Sequence, residues 1–507
     1  MNTQPSVERQ DGWLLAAALV CGAVHHIVFY ENAWGISVPL FIGLFYAMFF
    51  WAYHGREGRT LGPSAIVLVA VTLLSLTYGL FSNTLFRVLN TLAVPGLVLL
   101  HTVWMVRGSR FEPTKLLGLM AEQVLFQTVS NVSAPIKLPF RSMTSRMSSR
   151  RSKELVKVLT GLLISIPLLA LVVSLLASAD TMFDRSLSRL PELLKGLEAG
   201  ELLLRGLWIV LVAVLLFAYM KGLLYPKPFG SAARKETEAG AWEPDPPALQ
   251  TSSKTQPLID PTIAATLLVV LNAVYLLFAF VQFSYFFGGG ASALPEGVTY
   301  AEYARKGFGE LVTVTVINFS VLMIMLYGVN RTGINAYRLL RLLLAVLIGC
   351  TGVMLSSAYL RLSMYEEAYG YTVTRILVHA FMVFLLVLFV IALYKLWKPK
   401  VSLIKPYLAV ALLAYVALNY LNVDGIIARS NMDRYETTGR IDVNYLGSLS
   451  YEVVPSLVEL KRKHPEVGET DEVLRRMRER LMRTEDDPWF SFNWSEWQAR
   501  KLLSEQE

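Results

Sequence analysis

The sequence predicts an all-α fold: a polytopic α-helical membrane protein of about 11 transmembrane helices with a small helical C-terminal tail. Three observations predict it. Hydrophobic residues make up 54% of the 507 and charged residues only 17%, where a soluble domain carries about a quarter charged. Mean hydropathy is +0.46. The apolar residues fall in continuous runs of the length a helix needs to cross a hydrocarbon core about 30 Å thick. Lipid leaves only helices or a closed barrel, and continuous rather than alternating runs select helices.

In chain order the runs are Gly12–Tyr30, Ala33–Tyr53, Leu61–Phe81, Leu85–Val106, Leu155–Ser178, Leu202–Leu224, Pro261–Phe287, Phe308–Val329, Tyr337–Leu360, Val373–Trp397 and Leu403–Leu421. The first has Arg9 as its only leading basic residue and no small-residue cleavage site, so it reads as a retained span rather than a signal peptide. The second ends in Phe49, Phe50, Trp51 and Tyr53, and the seventh in Phe283, Tyr285, Phe286 and Phe287, both aromatic belts at the membrane surface. Pro39, Pro95 and Pro167 lie inside spans, where neighbouring helices re-satisfy the freed carbonyls.

Lys and Arg then give the orientation. One alternating set of gaps holds Arg56 and Arg59, a dense group from Arg107 to Lys157, then Lys221, Lys227, Arg331, Arg338, Lys395 and Lys398. The opposite set is sparse, with Arg87, Arg185, Arg205, Arg361 and Arg375 among its few members. The positive-inside rule places the N-terminus in the cytoplasm, and an odd number of spans places the tail outside. The tail is itself basic, and an even number of spans would turn that face towards anionic lipid instead.

By this reading the chain comprises a four-helix membrane region at 1–110 and a basic cytoplasmic loop at 111–154. A seven-helix membrane region follows at 155–422, with a flexible loop at 225–257, and an extracytoplasmic tail at 423–507. Within the basic loop, Leu116–Val129 reads as a short interfacial helix and Arg141–Lys153 as a Ser/Arg-rich strip against headgroups. Cys21 and Cys350 both fall inside spans, as small packing residues, so neither a disulfide framework nor a thiolate metal site is expected. Positive-inside bias accounts for the net charge of +8, and nucleic acid is not an expected partner. The partners expected are the bilayer, with anionic lipid at the basic loops, and another envelope protein at the outer face.

Mixed-charge segments collect on the outer face. Asp180 and Asp184 follow span five. Glu302, Arg305, Lys306 and Glu310 lie in TYAEYARKGFGEL, where i,i+4 pairing predicts a short amphipathic helix anchored by Tyr300, Tyr303 and Phe308. Arg361, Glu366, Arg375 and His379 flank the entry to span ten, and Asp424 follows span eleven. The candidate outer-face cluster is therefore Asp180, Asp184, Glu302, Arg305, Glu310, Arg361, Glu366, Arg375, His379 and Asp424. Two readings fit it: a polar pocket or docking surface, or span-end residues reaching into headgroups and pairing locally. The second needs fewer assumptions. His25 and His26 point about 100° apart on a helix and do not chelate one ion together. No catalytic, cofactor-binding or metal residues are assigned.

In the tail, Leu446, Leu449, Val453, Leu457 and Leu460 recur at helical spacing, with Pro455 marking a break or a start. Thr470 is placed to cap a second helix, with Asp471 and Glu472 in its first turn and an apolar stripe of Leu474, Met477 and Leu481. Trp489, Trp494 and Trp497 give the end of the tail something to bury or to press on the membrane.

Four segments carry a resemblance: LLASADTMF (Leu175–Phe183), TYAEYARKGFGEL (Thr299–Leu311), YGYTVTRILVHAFM (Tyr369–Met382) and Asn422–Ser450. From Leu155 to Leu460 the chain resembles a bacterial family of multi-pass membrane proteins known as domain of unknown function 4173, with its neighbour 4153. Phe308-Gly309 departs from the two aromatics common there. The resemblance implies a bacterial inner membrane and names no activity.

Three functions compete. A non-enzymatic envelope protein, sensing or scaffolding through its outer loops and tail, comes first. A transporter or channel would show repeats and polar midplane sites, yet the span count is odd and mid-span polar groups such as Asn272 and Asn318 are few. A membrane-embedded enzyme comes last, since the chain has no H-E-x-x-H and no G-x-S-x-G.

Overall fold

The computed structural model describes residues 4–54, 62–108, 112–135, 138, 198–228, 259–287, 300–329, 334–484 and 486–505. Among these there is no strand, only an isolated bridge between Ile259 and Val329. The chain divides into two compact units, 1–243 with 482–498, and 244–481 with 499–507.

The first unit holds α1 (Gln4–Phe29), α2 (Ser37–Tyr53), α3 (Ala65–Leu80), α4 (Thr84–Arg107), α5 (Pro113–Glu122) and α6 (Glu198–Leu224). Asn83 accepts from the Phe86 N–H at 3.1 Å and starts α4 as an N-cap. The long contact is α1 on α6. Gly22 permits it, because a Cβ there would stand 2.5 Å from the Ile209 carbonyl oxygen. Near the other end of that contact, Lys221 Nζ meets Asp11 Oδ2 at 2.6 Å.

The second unit holds α7 (Pro261–Phe287), α8 (Tyr300–Gly328), α9 (Ile334–Tyr369), α10 (Val373–Trp397) and α11 (Ile404–Tyr420). Its tail helices are α12 (Val423–Thr438), α13 (Val443–Ser448), α14 (Val454–Lys463) and α15 (Glu469–Met482). A last helix, α16 (Trp494–Ser504), ends the described chain. The 36-residue α9 is the hub, packing on α7, α8 and α10 around Leu322, Leu347, Met354, Leu362 and Phe389. Mid-span polar groups close on one another: Asn272 donates to the Leu343 carbonyl at 2.8 Å, and Asn318 donates to Thr351 Oγ1 at 2.9 Å while accepting from Tyr275 at 2.8 Å.

Outward-facing side chains identify the solvent. Leu92, Phe280 and Leu413 are 80%, 72% and 69% exposed, along faces where a water-soluble bundle would carry charge. These apolar surfaces indicate insertion into a membrane. Seven described helices are long and apolar enough to cross it, or eight if the bent pair α11–α12 counts as one span, its two halves meeting at 59°. Among the described residues the expected count of about eleven is not confirmed. Helices α2 and α3 are apolar but only 17 and 16 residues long, and the expected span Leu155–Ser178 lies outside the described residues. So do Pro167, the strip Arg141–Lys153 and most of the loop 225–257.

Three local expectations are corrected and one is met. Leu116–Val129 is helical, but it is not one regular α-helix. After α5 the chain forms a π-turn at Gln123–Thr128. There Gln123 donates to the Tyr219 carbonyl at 2.9 Å, and Gln127 both donates to the Lys227 carbonyl and accepts its N–H, anchoring the segment to the end of α6. The amphipathic helix at Thr299–Leu311 is not separate either. Helix α8 runs unbroken from Tyr300 to Gly328, since its interior glycines, Gly307 and Gly309, each cost only about 1 kcal/mol and remove no hydrogen bond. The break or start expected at Pro455 is present: the stripe from Leu446 to Leu460 is divided between α13, a 3-10 turn at Tyr451–Val453 and α14, with Pro455 in the first turn of α14. Finally, Thr470 is not a cap. Helix α15 begins at Glu469, and Thr470 is buried in its first turn.

Candidate functional site

The clearest polar constellation lies where α9 ends and α10 begins. A helix terminus leaves its last carbonyls without partners, and here α12 supplies them. Arg434 Nε donates to the Glu367 carbonyl at 2.7 Å and Nη2 to the Ala368 carbonyl at 2.6 Å. Gly370 stops α9 at φ +85°, in the left-handed region that favours glycine. A Cβ there would stand 2.6 Å from Asn431 Oδ1. That oxygen accepts from the Tyr371 N–H at 3.0 Å, while Asn431 Nδ2 donates to the Tyr371 carbonyl at 2.9 Å. The tail thus holds the connection between α9 and α10 through both the N–H and the carbonyl of a single residue.

Tyr445 on α13 completes the cap by accepting from the Val373 N–H at 3.0 Å, the first residue of α10. Partial burial pushes its phenol above the ordinary tyrosine value, so the neutral hydroxyl is the acceptor. Asp424, at the start of α12, is buried and accepts from Ser450 N–H at 3.1 Å and from the Ser450 hydroxyl. Asn422 turns the chain into α12 at φ +46° and accepts from the Gly425 N–H at 3.0 Å.

Beneath this cap, His379 Nε2 and Glu366 Oε2 are 2.9 Å apart, and the Tyr359 ring meets the imidazole edge-on at 4.3 Å. Glu366 is buried, and its Oε1 and the Nδ1 of His379 have no hydrogen-bond partner among the described residues. Arg375 donates to the Gly370 carbonyl and lies over the Tyr365 ring, 4.3 Å from its centroid. Arg361 is buried against α7, donating to Gln282 Oε1 at 3.3 Å, and Ser357 donates to the same oxygen at 2.8 Å.

The structure therefore brings Glu366, Arg375 and His379 to the α9–α10 junction. Asp424 stands in the helices that cap the junction, and Arg361 faces the α7–α9 interface below it. Glu310 is exposed on α8 and shares no described contact with them. Asp180 and Asp184 lie outside the described residues, as do the side chains of Glu302 and Arg305.

The arrangement is closed on itself except at two atoms: the arginines are spent on carbonyl oxygens and rings and the carboxylates on Ser450 and His379, while Glu366 Oε1 and His379 Nδ1 keep no partner among the described residues. Among the described residues no group of three His, Cys, Asp or Glu side chains is placed to hold a metal ion.

Residues 64–460, from the 3-10 turn before α3 to the middle of α14, match the family model described as "Domain of unknown function (DUF4153)". The chain belongs to the DUF4153 family. The match corrects the extent expected from the resemblance, because the DUF4153 region begins near residue 64, not Leu155, and so takes in α3 and α4. It contains the whole α9–α10 junction and its cap. No curated protein and no solved structure matches the chain.

Sequence reasoning missed Gln282, Ser357, Arg434 and Tyr445, and gave Asn431 no role. A signal for two of them was present. Asn431 and Arg434 are three apart in ARSNMDRY, on one face of a helix, but nothing in the sequence said what that face covers.

Proposed function

We propose that this DUF4153 protein is a non-enzymatic envelope protein of a bacterial cytoplasmic membrane. It scaffolds or senses by presenting the tail-capped end of its helices to another envelope protein. In this reading the N-terminus is cytoplasmic, the basic loops rest on anionic lipid, and the tail is extracytoplasmic.

The observation that carries the proposal is the cap itself. Asn431, Arg434 and Tyr445 use polar groups on a span junction, leaving the outer faces of the tail helices for recognition. In the first unit the tail segment is tied similarly to the ends of α3 and the α1–α2 turn. Asn493 donates to the Tyr78 and Phe81 carbonyls, both at 2.9 Å, and Phe492 accepts from the Ile36 N–H at 3.1 Å. In each unit, then, the tail meets the span ends that the charge rule assigns to the outside. The paired polar groups Asn272, Asn318 and Gln282 weigh against a solute path.

Single cysteines test both parts, in a background lacking Cys21 and Cys350. Lys463→Cys should react with an impermeant maleimide in intact cells, and Ser145→Cys only after permeabilisation. The reverse pattern overturns the orientation. Asn318→Cys and Ser357→Cys should stay unreactive towards a small charged thiol reagent from both sides, and labelling from either side replaces the scaffold with a transporter. A photo-crosslinking residue at Arg462, exposed on α14 of the same unit, should trap one defined envelope protein in cells, with a yield that falls in Arg434→Ala. A yield indifferent to the cap removes the proposed role of the tail.

A further inference from the structure

The first unit contains a cleft of about 490 Å³ that the functional proposal does not use. It lies among α1, α2, α3, α4 and α6, at the end where α1 stops and α4 starts. Its volume is in the range of small-molecule sites, roughly 300–1,000 Å³. Aromatic rings are expected at a membrane surface, where they point outward into headgroups. Here they converge.

Phe29 meets Phe41 and Trp34 edge-on, with centroids 5.5 and 5.6 Å apart, and Trp34 lies 6.1 Å from Tyr78. His25 joins this wall to Trp208 from α6, 6.0 Å away. The Trp208 N–H donates to Nδ1 of His25 at 3.4 Å. An imidazole that accepts at a ring nitrogen is neutral, so His25 adds no positive charge to the cleft.

Among the described lining residues the only charged one is Glu31, while Arg205, outside the lining, lies over the Tyr30 ring 5.6 Å from its centroid. Glu31 is exposed, has no ion pair among the described residues, and sits at φ +59°. A non-glycine residue in that region stores strain, and such strain gathers at ligand sites. The wall formed by α4 adds one more acceptor. Pro95 carries no N–H, so the Thr91 carbonyl loses its usual helix donor in the stretch that lines the cleft.

π-faces, a carboxylate and a carbonyl are complementary to a single class of ligand. Aromatic faces attract cations through the ring quadrupole, most strongly when water is excluded. We propose that the cleft binds one hydrophobic organic cation, an apolar body bearing an ammonium or a delocalised positive charge, which reaches it from the membrane interface. Glu31 neutralises the charge, and Trp34, Phe41 and Trp208 hold the body. The tail sets the rear wall, because Asn493 fixes the backbone at Tyr78 and Phe81. This site is independent of the scaffold reading.

Tetraphenylphosphonium and tetraphenylborate test it, since they share size and shape and differ in the sign of charge. The full chain, purified in an uncharged maltoside detergent, is titrated with each probe by equilibrium dialysis. Empty micelles give the background. Tetraphenylphosphonium should bind saturably, one per chain, and tetraphenylborate should not. Glu31→Gln and Trp34→Ala should each weaken binding about tenfold, the size of a desolvated cation–π or charge contact. Ile42→Trp, which fills the cleft without touching Glu31, should abolish binding while the helical circular dichroism is retained. A long-chain phosphocholine should compete if the natural occupant is a lipid headgroup, and should leave binding untouched if it is a free cation. Equal binding of both probes, no saturable binding, or full affinity in Glu31→Gln and Trp34→Ala overturns the proposal.

Discussion

His379 Nε2 stands 2.9 Å from Glu366 Oε2, joining the last turns of α9 to the second turn of α10 beneath the tail. Both side chains are largely withdrawn from solvent, at 13% and 4% exposure. Removing one partner from such a pair leaves the other buried and unsatisfied, at a cost of about 1–3 kcal/mol. His379→Ala and Glu366→Ala should each lower the unfolding midpoint in detergent. The double variant should lose less than the sum of the two, with a coupling of at least about 0.5 kcal/mol. Strict additivity would mean that the pair contributes nothing.

Arg434 and Asn431 hold the end of α9 through its carbonyls and the backbone of Tyr371. Arg434→Ala and Asn431→Ala should each weaken the cap by about 1–2 kcal/mol. The loss should appear as faster protease cleavage within 439–450, with the spans still intact. Asn431→Asp keeps the acceptor for the Tyr371 N–H but loses the donor to its carbonyl, so its cleavage rate should fall between wild type and Asn431→Ala.

Two glycines should respond in opposite ways. Gly370→Ala forces a Cβ into the left-handed region and to within 2.6 Å of Asn431 Oδ1, and should cost about 1–3 kcal/mol. Gly309 lies within α8 with open space around it, so Gly309→Ala should be neutral or stabilising by up to about 1 kcal/mol. Midpoints of thermal unfolding for the two variants, measured side by side, check the contrast.

Asn493 ties the tail to the Tyr78 and Phe81 carbonyls in the first unit. Asn493→Ala should cost about 1 kcal/mol, because the two carbonyls lose one donor each but keep Arg87, which donates to both. It should also raise the reactivity of a cysteine placed at Trp489. Unchanged reactivity would mean that Phe492 and Ser495, which also bond to this end, are sufficient alone.

The helices were legible because period and length carry them. Continuous apolar runs locate α1, α4 and α6 through α10, though α8 starts earlier, at Tyr300, and α9 ends later, at Tyr369, than their runs, and Leu474, Met477 and Leu481 are buried in α15 as their spacing requires. Boundaries set by partners were not legible. Nothing local to TYAEYARKGFGEL says that its helix continues into the following span. Nothing local to Gln123 and Gln127 says that they bond to the end of α6. The candidate site was half legible: Glu366, Arg375 and His379 share a junction because they flank one turn, whereas Arg434 and Tyr445 reach it from more than 60 residues away.

By itself the sequence determined that the chain is helical and suited to a membrane, because hydropathy and periodicity are properties of short segments and survive without knowledge of neighbours. It also determined where polar residues stand along each span. Only the tertiary structure decided which of them meet. Glu310 stays apart on α8, Asp424 turns to Ser450, and His379 finds Glu366, since each pairing depends on the rotation of one helix against another. The ring-lined cleft beside Glu31 belongs to the same category. Its five helices contribute one or a few side chains each, and no segment contains enough of it to be read alone.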